Sequence, residues 1–185
     1  MPLKHKTNSM KSNSKTETIL MVMNVLAWIA FIGLMVKAGT LLVSYGISAA
    51  YPEVTKNMYK GLNWYSLRQY DFWLYTGIVS MLAAIFILQA YVAYLVIKVL
   101  SRIKMASPFT GDIAKRLENI AYTLILIWVA SVIYNGQLKW ISKQAAGVLE
   151  NTISDDFIIY AGLVYLIAQI FKKGVEIQSE NELTV

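Results

Sequence analysis

The chain has 185 residues, of which 57% are hydrophobic and only 15% charged, too apolar for a soluble domain of this size. Its net charge is +6, and the lysines sit beside apolar stretches, which points to a membrane surface and away from direct nucleic-acid binding. With no cysteine and one histidine, His5, a single copy can build no disulfide, thiolate metal site, cysteine nucleophile or histidine-based metal or catalytic centre.

Residues 1–17 are rich in Lys, Ser, Asn and Thr and predict a disordered basic tail. Four long apolar stretches follow, roughly Ile19–Val36, Phe72–Ile97, Ile120–Leu138 and Phe157–Phe171. A hydrocarbon core about 30 Å thick takes about 20 helical residues to cross, and lipid offers an open backbone no hydrogen-bond partner. The expected fold is all-α: an integral membrane four-helix bundle with short amphipathic surface segments. Its spans fall at about 18–37, 72–97, 118–138 and 155–173, in one domain over 18–176, with a tail at 177–185. The first run exceeds the about 7–15 residues of a signal-peptide core, and no A-x-A site follows, so an uncleaved anchor is expected. Lysine and arginine mark the cytoplasmic side. Eleven fall in the N-terminal tail, the connection between spans two and three, and the C-terminal tail, against five in the other two connections. Both termini are therefore expected in the cytoplasm.

In the first span the one charge is Lys37. At mid-bilayer a lysine costs roughly 2.5–3.5 kcal/mol, so Lys37 is expected to snorkel at the outer boundary, with 38–47 packed at the outer surface. The alternative places it on a pore or proton path. The connection over 48–71 is dense in aromatics, as in an interfacial belt. Asn63 is suited to cap a short surface helix with Leu67 and Tyr70 on one face. A sharper reading makes Lys37, Trp64, Tyr65 and Arg68 an outer-loop site for an anionic or amphipathic small molecule. In the second span Gly77, Ser80 and Ala84 form a small-residue stripe for close helix packing or a dimer face.

Pro108 ends the helix before it, Ser107 or Thr110 is suited to cap the next, and Asp112 complements that helix's positive end. Ile113, Leu117 and Ile120 then make an apolar stripe. Ser154, Asp155 and Asp156 read as capping residues for the last span. Three amides lie within apolar runs: Asn24, Gln89 and Gln169. Counted from the nearest charged or polar end, each lies in the cytoplasmic half. They are expected to converge with Tyr94 and with Tyr122 or Glu118, as interhelical glue or as a small polar pocket. No phosphate-binding loop, dinucleotide fingerprint, zinc-protease motif or nucleophile elbow is present, and the serines in the spans have no base. The expectation is no enzyme, no cofactor and no metal.

Two stretches carry a resemblance. One is Ser107-Pro108-Phe109-Thr110 with Ala114 and Leu117. The other runs from Ala168 through Gly174 to Glu180-Asn181-Glu182-Leu183-Thr184-Val185. With Gln89-Ala90-Tyr91 and Tyr94–Lys98, they resemble the bacterial four-span family known as domain of unknown function 2975, over about residues 18–185. Glu182 stands where members usually have Asp. The resemblance implies a bacterial inner-membrane protein of unassigned biochemistry. Members are often encoded beside small helix-turn-helix regulators, which implies a sensory or regulatory role. Gly174 is suited to break or bend the last helix beyond Lys172 and Lys173. An acidic tail ending in apolar residues then suits an intramolecular latch on the basic inner connection, Arg102–Arg116, or docking of a cytoplasmic partner. The candidate docking residues are Pro108, Phe109, Glu180, Glu182, Leu183 and Val185. The leading expectation is a non-enzymatic scaffold or sensor contacting a cytoplasmic regulator. The alternative is a homo-oligomeric translocator of a small molecule or ion, with Lys37 and the inner amides on its path.

Overall fold

The computed structural model describes residues 15–53, 64–103, 109–144 and 152–183, with side chains as far as Glu180 in the last segment. The expected tail with His5, and Asn63, Ser107, Pro108, Thr184 and Val185, lie outside the described residues. Five helices follow in order: α1 (Lys15–Ala50), α2 (Tyr65–Tyr70), α3 (Phe72–Leu100), α4 (Gly111–Gln144) and α5 (Phe157–Leu183). Among the described residues there is no strand. All but α2 are long and apolar enough to cross a membrane. The expected all-α, four-span membrane fold is what forms, because only a helix satisfies its own backbone in lipid.

The long helices pack in series, α1 on α3, α3 on α4, and α4 on α5, with α2 against α3. Consecutive spans run antiparallel, so the start of α1 and the end of α5 share one end of the bundle, the terminal face. The core is aliphatic: Ile78, Leu82 and Ile85 of α3 and Ile113, Ile127 and Leu138 of α4 are almost wholly buried. Outward side chains are equally apolar, with Ile29, Val43, Ile159 and Leu166 exposed, as lipid-facing positions are.

The edge helices bury a single narrow seam. On α1 the inward residues are Leu20, Asn24, Ala27, Phe31, Leu34, Ala38, Leu41, Tyr45 and Ser48, in alternating steps of four and three. On α5, Phe157, Ala161, Val164, Ala168 and Phe171 repeat the pattern. This is the 3.5-residue period of left-handed coiled-coil packing, in which one helix meets one partner. Alanines at 27 and 38 on α1 and at 161 and 168 on α5 allow close approach. The Gly77, Ser80 and Ala84 stripe faces outward instead.

Contacts along the seam fix the register of α1 on α3. Near the face opposite the termini, the Ser48 and Tyr75 hydroxyls are hydrogen-bonded at 2.7 Å, and those of Tyr45 and Thr76 at 3.1 Å. Toward the terminal face, Phe31 and Tyr94 rings lie 6.3 Å apart. Between them the Lys37 ammonium sits 5.9 Å from the centroid of the Phe86 ring. The register sets Lys37 and 38–47 against α3. The helix runs unbroken to Ala50, residues 38–48 lie along α3, and Lys37 is level with the middle of α3. The expected short helix does form, as α2 with Leu67 buried, but Trp64 at its N-cap makes no side-chain cap bond. The strong cap belongs to α3, where Asp71 Oδ1 accepts from Trp73 N at 2.7 Å and Leu74 N at 2.9 Å.

Candidate functional site

At the terminal face α4 begins and α5 leaves the bundle. Thr110 starts α4: its Oγ1 accepts from Ile113 N at 3.4 Å, and its carbonyl from Ala114 N at 3.1 Å. Ile113 and Ile120 of the expected stripe are buried, and Leu117 packs against them. This fixes Phe109, just ahead of the cap, against α5. Its ring meets Phe171 edge-on, with centroids 5.2 Å apart at 60°. The same ring covers Gly174, where an added Cβ would lie 2.7 Å from Phe109 Cδ1 and 2.8 Å from Cγ. Gly174 therefore does not break the helix, as its propensity suggests. Helix α5 continues to Leu183, and the glycine makes room for an aromatic ring.

One turn deeper, Glu118 of α4 faces α5. Its Oε1 accepts from Gln169 Nε2 at 3.1 Å and is ion-paired with Lys172 Nζ. The Glu118 side chain is 15% exposed and that of Lys172 48%, so solvent still screens the pair in part. Around this pair lies a cleft of about 380 Å³, lined by Gly111, Ala114, Lys115, Glu118, Lys172 and Val175 among others. Two flanking pairs, Arg116 with Asp112 at 2.9 Å and Lys173 with Glu176 at 2.7 Å, are local helix-surface contacts. Beyond Lys173, α5 projects for ten more residues, about 15 Å, with Glu176, Ile177 and Glu180 exposed.

The predicted amides do not converge. Gln169 meets Glu118, as expected. Asn24 lies in the α1 seam, and its Oδ1 is buried with no hydrogen-bond partner among the described residues. The Lys37–Phe86 register puts Asn24 level with Val99, whereas Gln89 is ten residues further along α3, about 15 Å away. Of the predicted docking residues, Phe109 is used internally and Glu180 is exposed on the projecting helix. Glu182 and Leu183 belong to α5, with side chains outside the described residues.

The predicted outer-loop site assembles in part. Trp64 packs on Tyr75 at 6.2 Å, and Arg68 lies over Phe72 at 5.6 Å and donates to the Ala49 carbonyl at 3.4 Å. Tyr65 accepts from Gln69 at 2.7 Å and donates to Glu53 at 3.4 Å. Lys37 is not among them; Phe86, its neighbour, is eleven residues along α3 from Tyr75, about 16 Å. A lysine held at mid-bilayer costs roughly 2.5–3.5 kcal/mol, and the face of one aromatic ring returns about 0.5–2 kcal/mol.

Asn135 was not singled out by its sequence. Its amide mimics a strand neighbour to Ile153, donating to the carbonyl at 2.8 Å and accepting from the N–H at 2.9 Å, and it also reaches Asp155 at 3.2 Å. Asp156 accepts from Ser154 Oγ at 2.6 Å. Both carboxylates thus serve to shape the chain entering α5. An asparagine one turn inside the far end of a predicted span was the available signal.

An all-α protein that crosses the membrane four times, with a built polar junction between its last two spans, is the class these features define. Residues 47–185 match the family described as protein of unknown function (DUF2975), and the chain belongs to it. The match takes in α2 to α5 and every residue of the terminal-face junction, while most of α1, Lys37 included, precedes it. No curated protein and no solved structure matches the chain.

Proposed function

We propose that the protein is a non-enzymatic scaffold or sensor of the bacterial cytoplasmic membrane whose terminal face lies in the cytoplasm and docks a soluble regulator. The lysine and arginine excess on that face supports the orientation. The observation that carries the docking reading is the way α5 is rooted. Phe109 over Gly174 and Glu118 between Gln169 and Lys172 hold the helix where it leaves the bundle. A helix fixed at its base presents Glu176 and Glu180 in a set geometry, and a preorganised surface loses less entropy on binding. Acidic residues on such a surface suit a partner with a basic face, such as a helix-turn-helix regulator. The test is affinity capture after crosslinking in native membranes, with full-length protein beside a variant ending at Ser179. Recovery of one basic DNA-binding or signalling protein by the full-length form alone is expected. The same soluble proteins recovered by both forms, or none by either, would refute the reading.

A further inference from the structure

We propose that Lys37 is the docking point for a transmembrane helix of a different protein, one that carries a carboxylate at mid-bilayer depth. The depth follows from the register of α1 on α3. The Lys37 ammonium lies 5.9 Å from the Phe86 ring centroid, and Phe86 is fourteen residues from each end of α3. Fourteen residues are about 21 Å of helix in either direction. Contacts on both sides of this point, Ser48 with Tyr75 and Phe31 with Tyr94, leave no room for a slip. The headgroup boundary is about 15 Å from the bilayer centre, far beyond the reach of a four-carbon stem, so snorkelling does not bring the charge to water.

An ammonium at this depth needs a counter-charge, and this chain has none to give. No Asp or Glu lies within 18–52, 72–111, 119–149 or 157–175. The same four stretches of a second copy likewise carry no Asp or Glu. A homo-oligomer therefore leaves the charge unpaired, and the complement is an acidic residue in another protein's span. The surface is open to such a helix. Lys37 is exposed beside the seam, and α1 packs on α3 through that seam. On the same face, at helical spacing, Ala30 and Gly33 are exposed, and a Cβ added at Gly33 meets nothing within 4 Å. Small residues one and two turns from a charge let an incoming backbone come close enough for direct pairing.

The test uses full-length protein in phosphatidylcholine vesicles and energy transfer to synthetic leucine-alanine transmembrane peptides. One peptide carries a single central Asp, one a central Leu, and one an Asp near its end. The central-Asp peptide is expected to bind at least about tenfold more tightly than the central-Leu peptide, an advantage lost in Lys37→Leu and kept in Lys37→Arg. The end-Asp peptide gains nothing. Removing the charge makes α1 more apolar, so Lys37→Leu inserts at least as well as the parent. Equal binding of the three peptides would overturn the proposal, as would an Asp preference that survives Lys37→Leu. Modification of Lys37 in sealed vesicles by a membrane-impermeant amine reagent would overturn it too, by placing the side chain in a water-lined path.

Discussion

Replacing Gly174 with alanine pits two effects of opposite sign against each other. Alanine at an interior helix position gains about 1 kcal/mol over glycine. Here the new methyl would lie 2.7 Å from Phe109 Cδ1 and 2.8 Å from Cγ, so the whole ring must move by about an ångström to restore van der Waals separation. Such overpacking costs about 1–3 kcal/mol, and the edge-on pairing with Phe171 is worth about 0.5–1.5 kcal/mol if the ring swings away. In the parent, Gly174→Ala is therefore expected to destabilise by roughly 0–2 kcal/mol. In a Phe109→Ala background the obstacle is gone, and the same change is expected to stabilise by about 0.5–1 kcal/mol. The assay is a double-mutant cycle followed by thermal unfolding in detergent micelles, with amide exchange over 170–180 reporting on α5. A change of the same sign and size in both backgrounds would refute the packing of Phe109 on Gly174.

Other expectations follow from single contacts. Asn135→Ala removes both bonds to the Ile153 backbone and should cost about 1–3 kcal/mol in thermal unfolding; Asn135→Asp, which keeps an acceptor but loses the donor, should not restore it. Asp71→Ala uncaps α3 and should cost about 0.5–2 kcal/mol, with Asp71→Asn close to the parent; equal losses in the two variants would contradict the capping geometry. Glu118→Ala strands Gln169 and Lys172 together and should raise amide exchange at the root of α5, whereas Glu118→Gln retains an acceptor for Gln169 and should raise it less.

The spans were legible in the sequence because the bilayer dictates both their length and their helicity. The 3.5-residue seam was also written there, in Leu34, Ala38, Leu41 and Tyr45, but an all-apolar helix shows no polar face to reveal which stripe points inward. What one helix read alone does not carry is register. Lys37 looks peripheral when α1 is counted from its own ends; packed on α3, with about ten residues extending past Val99, it falls level with the middle of that helix. The same counting brings Asn24, Gln89 and Gln169 together, whereas the contact that forms is Gln169 with Glu118, one of several partners the sequence offers. Gly174 was misread for a different reason. Its local preference is to end a helix, but a ring from 65 residues earlier decides its role.

The central claim, that the projecting part of α5 is a cytoplasmic docking surface, is tested most directly by a photo-crosslinking residue at Ile177, which is 49% exposed just past the clamped root. In native membranes the account predicts one dominant adduct with a soluble protein of basic surface, reduced by Glu176→Lys and Glu180→Lys together. Adducts only with lipid, or only with a second copy of the chain, would contradict it.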